Sequence, residues 1–231
     1  MLTLGFDTAT DTGTVGLVDE GKVKGEYTYT AEESQSERLL NSIDLLLNSV
    51  ELEIGDVEKI AVSRGPGSFT GLRIGISTAK GLAHGLEVPL VGIPLTNCYY
   101  SRVKSFAGSV CTLIEDRRDL VYIAGFAAGG EKVVEEKSLP IEKLKEGIIP
   151  ELREHGSPVL LVGDGVPVHV DKLREMNDVL VSEGSLNYPS GLQVAFLGES
   201  TQPGSEGLAA LEPLYAQRPI AEINWKKKTN H

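Results

Sequence analysis

The sequence predicts an α/β fold of two lobes with related β-β-β-α-β-α topology. Three observations carry this reading. Each half opens with three short strand patterns, each triplet is followed by a helical segment, and each half then has a strand running into a glycine turn, at Gly65-Pro66-Gly67 and at Gly163-Asp164-Gly165. The 231 residues leave room for two lobes of about a hundred residues each, and 41% hydrophobic content is ample for their cores. The expected division is 1–100 and 101–231, with the last segment, about 206–231, the candidate for packing back on the first lobe.

Taken in order, Leu2 to Phe6 reads as a strand that ends in an acidic, hydroxyl-rich turn from Asp7 to Gly13. Thr14 to Val18 and Val23 to Thr30 follow as strands around the hairpin turn Asp19-Glu20-Gly21. A helix capped by Ser36 comes next, with Leu39, Leu40, Ile43, Leu46, Leu47 and Val50 on one stripe and Leu45 off it. Glu58 to Val62 is a buried strand, the segment from Phe69 to Leu86 a helix, and Pro89 to Ile93 another strand. Thr96 to Gly108 is the crossover. The second half repeats the plan with strands at 110–114, 120–127 and 132–138 and a helix from Ile141 to His155. A strand at 158–162, a helix at about 167–176, a strand at 179–181 and a helix near 193–199 complete it.

The central stretch is Ser63-Arg64-Gly65-Pro66-Gly67-Ser68-Phe69-Thr70-Gly71-Leu72-Arg73-Ile74-Gly75. Ser68 suits the N-cap of the helix that opens at Phe69. A glycine turn feeding a helix can cradle phosphate, but the Lys-Ser/Thr pair of a P-loop is missing here. Nor does the stretch match the Gly-x-Ser-x-Gly elbow of a serine hydrolase. Within the helix, Gly71, Gly75, Thr78, Ala79 and Ala83 recur at three- and four-residue spacing and leave one face nearly bare. Each interior glycine costs about 1 kcal/mol against alanine, so something must offset Gly71, Gly75 and Gly81. The bare face either packs inside its own lobe or receives a second protein.

Composition narrows the function. A net charge of −11 argues against gripping a nucleic-acid backbone directly, and the only basic run is Lys226-Lys227-Lys228. Cys98 and Cys111 make neither a disulfide framework nor a zinc spacing, and the four histidines are scattered. No leader or membrane-length apolar run is seen, so a cytoplasmic location is expected.

Two such lobes describe the actin-like ATPase architecture (the ASKHA, RNase H-like class). Ligands in open α/β sheets collect where strands end, which would gather Asp7, Thr8, Thr10, Asp116, Arg117 and Arg118 in a weak nucleotide cleft. The bulky Asp116-Arg117-Arg118-Asp119 turn does not allow the close backbone approach that phosphate binding uses.

The run Gly65 to Gly75 resembles the signature of the bacterial TsaB (YeaZ) family. Asp7-Thr8-Ala9-Thr10, Ser36-Glu37-Arg38-Leu39-Leu40, Asp116-Arg117-Arg118 with Val121-Tyr122, and Glu212-Pro213-Leu214-Tyr215 extend the match over nearly the whole chain. Gln35 stands where that family often has histidine. The resemblance implies a non-catalytic scaffold needed to make threonylcarbamoyladenosine beside the tRNA anticodon. The scaffold would pair with the metal-holding paralogue TsaD and, through it, with the ATPase TsaE. It implies tRNA contact only through that complex, no membrane, no cofactor of its own with ATP or ADP only at the complex interface, and a homodimer when the partner is absent. The paralogue's paired metal-binding histidines have no counterpart between Glu32 and Leu40.

By the same resemblance, the two helices would form a four-helix interface through Leu39, Leu40, Ile43, Leu46, Leu47, Phe69, Gly71, Leu72, Gly75, Ile76, Ala79 and Ala83. On that expectation Gly75→Leu leaves the monomer folded and stops docking. The rival functions are an actin-fold ATPase or kinase of a small substrate, which needs tight nucleotide binding by this chain alone, and a direct tRNA binder.

Overall fold

The computed structural model describes residues 1–30, 35–117, 119–204 and 208–215. Arg118, residues 32–34 of the Glu32–Leu40 segment, and the tail with its three lysines lie outside the described residues. Strands β1 (Leu2–Asp7), β2 (Thr12–Asp19) and β3 (Lys22–Thr30) form an antiparallel meander, and α1 (Gln35–Ser49) follows. A 3-10 turn at Ile54–Asp56 leads to β4 (Lys59–Ser63), α2 (Phe69–Leu86) and β5 (Leu90–Ile93). The parallel strands β4 and β5 join beside β1, giving the order β3-β2-β1-β4-β5.

After α3 (Leu95–Ser101) the plan recurs with β6 (Ser109–Glu115), β7 (Leu120–Phe126) and β8 (Lys132–Pro140). A π-helical turn at Leu144–Ile148 runs into α4 (Ile149–Glu154), then β9 (Val159–Val162), α5 (Gly165–Val168), α6 (Val170–Arg174) and β10 (Val179–Val181). The second sheet reads β8-β7-β6-β9-β10, which is the first order with every strand advanced by five. A 3-10 turn at Gly184–Asn187 precedes α7 (Gly191–Ser200). The two-lobed actin-like α/β fold is therefore present.

Most element limits follow the sequence reading. Helix α2 runs from Phe69 to Leu86, with Ser68 Oγ accepting from the Gly71 amide at 3.3 Å. Four details differ. Helix α1 opens at Gln35, so Ser36 lies inside its first turn instead of ahead of it. The crossover holds the helix α3. The helix expected over 141–155 begins as a π turn because Pro150 has no N–H to offer Glu146 and its ring would strike that carbonyl; a wider turn relieves both. The helix expected at 167–176 divides at His169, where φ −111° and ψ 15° leave the helical region.

Three buried clusters hold the molecule together. Leu4, Phe6, Leu39, Ile43, Leu46, Ile60, Val62, Ile76 and Ala79 fill the space between the first sheet and α1 with α2. Leu113, Ile123, Leu144, Leu152 and Leu161 do the same in the second lobe. The third cluster belongs to both lobes and includes Ala61, Ile93, Cys98 and Tyr99 with Val110, Ile114, Phe126, Val162 and Val194. Each fully buried large aliphatic side chain contributes roughly 1.5–3 kcal/mol, so this shared cluster is a substantial reason for the lobes to stay together.

Helix α7 departs from the expected division. It follows the second lobe in sequence but packs on β1, β2 and β4 of the first. A Cβ on Gly5 would lie 2.3 Å from the Ala195 amide nitrogen, and one on Gly16 would lie 2.3 Å from that of Leu192, so only glycine lets the helix come this close. Glu26 on β3 accepts from Ser190 Oγ at 2.7 Å and from the Leu192 amide at 3.2 Å, fixing the start of α7. The returning segment thus begins near residue 190, ahead of the expected 206.

Candidate partner-binding face

The glycine turn is consumed by the chain's own packing. The Ser68 amide donates to Ala9 O at 2.7 Å, the Leu95 amide to Gly65 O at 2.7 Å, and the Leu214 amide to Arg64 O at 2.6 Å. Thr8 Oγ1 donates to Gly71 O at 2.7 Å. Gly65 sits at φ +93°, a conformation that favours glycine, and a Cβ on Gly67 would lie 2.4 Å from Ala9 O. The turn from β1, the start of α3 and the C-terminal segment all converge here. The turn works as a joint, with Ser68 committed to capping α2.

Asp7, Thr8 and Thr10 lie at the end of β1, and Asp116 and Arg117 follow β6. The first three are all buried beneath the glycine turn. The Asp7 carboxylate accepts from the Ala9 amide at 3.2 Å through Oδ2, while Oδ1 has no hydrogen-bond partner. Burial pushes this carboxyl up to about 6. Asp116 is half-buried after β6, where it accepts from Ser138 Oγ at 3.4 Å, and Arg117 is exposed. Across the lobes, the carboxyl that senses Asp7 is Asp164, pushed up to about 8 chiefly by burial and further by the charges of Asp7 and Glu115. Tyr99 OH donates to Asp164 Oδ1 at 3.2 Å. The sequence reading passed over Asp164 as a cleft residue although it marked its glycine turn. A cavity of about 530 Å³ lies elsewhere, along β5, residues 201–204, Leu208 and Leu211, with Arg64 at its wall.

The two helices of the expected interface present a different face from the one read in the sequence. Leu39, Ile43, Leu46, Leu47, Leu72, Ile76, Ala79 and Ala83 are buried inside the isolated chain, as are Gly71 and Gly75. Of the expected contact residues only Leu40, at 46%, and Phe69, at 40%, are exposed. The physical reason is the sheet beneath. The apolar stripe lets α1 lie on β2 and β3, and the bare stripe lets α2 lie close on β4 and β1, where Gly75 meets Thr8 and Val62.

What α1 and α2 show to solvent is a second, outer ridge. Ser77, Gly81 and Gly85 are exposed, and a Cβ on either glycine would meet nothing within 4 Å. Arg73 and His84 are exposed beside this ridge, and Ile74 and Thr78 are half-buried. On α1 the outward residues include Leu40 and Leu45, the latter 55% exposed. Leu45 was the signal available in the sequence, a large apolar residue off the core stripe. At the start of α2 the Arg73 guanidinium lies 3.9 Å above the Phe69 ring, whose centroid is 5.7 Å from that of Tyr215.

Other chemistry finds little purchase. Among the described residues no group of three or more His, Cys, Asp or Glu is placed to hold a metal ion. His169 pairs with Glu115 at 3.1 Å in the second lobe. Both cysteines are buried, which pushes the Cys111 thiol up to about 12 and that of Cys98 well above its ordinary value. No described helix is long and apolar enough to cross a membrane.

The family model described as "TsaD: tRNA N6-adenosine threonylcarbamoyltransferase" matches residues 29–225. The tRNA threonylcarbamoyladenosine biosynthesis protein TsaB of Bacillus subtilis is 28% identical over 97% of this chain and 98% of its own length. That of Escherichia coli is also 28% identical, over 98% of each chain. A solved structure described as similar to the peptidase YeaZ, from Pseudomonas aeruginosa, superposes with a TM-score of 0.74 at 23% identity, covering 94% of this chain and 99% of its own. A match over this much of the sequence, on a doubled β3-β2-β1-β4-β5 plan, settles the family: the chain belongs to the TsaD family of tRNA N6-adenosine threonylcarbamoyltransferases, within its TsaB (YeaZ) branch.

Proposed function

We propose that this chain is a non-catalytic subunit in the synthesis of threonylcarbamoyladenosine in tRNA, and that it works by docking the outer face of α1 and α2 on a TsaD-like catalytic paralogue. Both full-length relatives above carry the name of that biosynthesis. The observation that carries the docking part is the outer ridge of α2. Gly81 and Gly85 each weaken the helix by about 1 kcal/mol, and neither is needed for a contact among the described residues. A ridge kept bare at that cost suits a second helix at close range, and Leu40 and Leu45 on α1 add exposed apolar area. A stable interface of this kind buries about 1,600 Å² in total.

Nucleotide does not lodge in this chain's own cleft, because Asp7 and Thr8 are sealed under the glycine turn; ATP or ADP binds only where the complex closes. A TsaE-like ATPase joins through the paralogue, tRNA is met by the complex as a whole in the cytoplasm, and a second copy covers the ridge when the paralogue is absent. The test is reconstitution of tRNA modification with the paralogue and the ATPase held constant and this chain present or omitted. Loss of product on omission is expected. Equal product without it rejects the function, and product with this chain alone rejects the non-catalytic role.

A further inference from the structure

The charge of α2 runs against the charge of the chain. Asp and Glu outnumber Lys and Arg by 33 to 22, yet the 18 residues of α2 hold Arg73, Lys80 and His84 and no carboxylate. At about 100° per residue, Arg73 and His84 fall on the same side of the helix as Ser77 and next to Gly81. His84 lies in the last turn, where the helix dipole favours a cation. Arg73 has no such reason, because it lies near the opposite end. Its guanidinium rests on Phe69, which Tyr215 backs in turn, and it makes no ion pair among the described residues. Exposed carboxylates on these and neighbouring segments, among the described residues, include Glu37 and Asp44 on α1, Glu87 at the end of α2 and Glu212. None of them pairs with Arg73 or His84 among the described residues. The stack therefore holds a planar cation beside a bare ridge, with no hydrogen bond to its donors among the described residues.

We infer that the partner's contact helix is acidic along the edge that meets α2, with a carboxylate taken by Arg73 while small or apolar side chains lie over Gly81 and Gly85. This rests on the docking reading above and adds the chemistry of the occupant. A guanidinium held flat by an aromatic ring is suited to bidentate pairing with a carboxylate. A second copy of this chain is the poorer occupant where it brings α2 onto α2, since cation then meets cation.

The probe is the purified TsaD-type paralogue, titrated at low and high salt against wild type, Arg73→Glu, Arg73→Lys and Gly81→Leu. Arg73 is exposed, so the charge variants keep the fold, which circular dichroism checks. Arg73→Glu is expected to weaken binding about a hundredfold at low salt and much less at high salt, and Arg73→Lys about tenfold. If wild type binds and Gly81→Leu does not, but Arg73→Glu binds like wild type, the acidic occupant is rejected and the docking face stands. If Arg73→Glu alters only self-association, the occupant is a second copy and the inference is overturned. If wild type does not bind the paralogue, both readings fall.

Discussion

Gly75 and Thr8 stand so close that no side chain fits between them. A Cβ on Gly75 would lie 2.4 Å from Thr8 Oγ1, the same hydroxyl that donates to Gly71 O at 2.7 Å. This inverts the expectation that Gly75→Leu blocks a partner and spares the fold. Gly75→Ala should push Thr8 off its hydrogen bond, at a cost of about 1–3 kcal/mol, against a helix-propensity gain of about 1 kcal/mol. Gly75→Leu should cost more. Urea unfolding reads it as a lower midpoint at unchanged slope, and a midpoint equal to or above wild type would show that the joint yields freely.

Gly81 is the opposite case. With open space around its Cβ position, Gly81→Ala should raise stability by up to about 1 kcal/mol. Gly81→Leu should leave the monomer folded and stop it from co-eluting with the paralogue in sizing chromatography. A variant that still forms the full complex would place the interface elsewhere.

The contrast between these glycines also explains what the sequence made legible. The limits of α2 were readable from Ser68 and the apolar spacing, and the doubled strand plan from the two triplets. Which side of α2 faces outward was not. Gly71-Gly75-Ala79-Ala83 and Ser77-Gly81-Gly85 are both lines of small residues at a four-residue period, and both offer a bare ridge. What separates them is the sheet, whose Thr8 and Val62 fill the first groove and leave the second open. The surroundings of Asp7 were illegible for a related reason. The strand plan sets Asp7 against Asp116, one strand end against its counterpart; folding also brings to its side Tyr99 and Asp164, which are themselves 65 residues apart. Burial of that kind has no local signature. Helix α7 shows it again, since nothing within Gly191 to Ser200 names the β1 and β2 glycines on which it rests.

Lys59 should prove to be a structural cation. It is only 4% exposed, and its Nζ donates to Thr201 O at 2.6 Å and Glu199 O at 3.3 Å, where the carbonyls at the end of α7 carry the negative pole of the helix. Lys59→Met keeps the stem and removes the donor. It should lower stability by about 1–3 kcal/mol, read as a fall in Tm with faster amide exchange at the end of α7. Unchanged exchange there would mean that water replaces the ammonium without loss.

Two carboxyls, buried Asp7 and half-buried Asp164, set a pH dependence. Asp7, at about 6, and Asp164, at about 8, both lie above the ordinary carboxyl value of 3.8, chiefly through burial. Each therefore binds its proton more tightly in the folded state than in the unfolded state. Stability contributed in this way is fully present below the unfolded value and is lost as pH rises through the folded one. Asp7 should take stability away between about pH 4 and 6, and Asp164 between about pH 4 and 8. At about 1.4 kcal/mol per unit, the two together amount to several kcal/mol. Urea unfolding at intervals from pH 5 to pH 8.5 should give midpoints that fall toward the alkaline side. Asp164→Asn should flatten the limb above about pH 6, and Asp7→Asn the limb below it. A wild-type profile that is level or rises over this range would mean that these carboxyls are hydrated or paired in solution, and that the junction between the lobes opens to water.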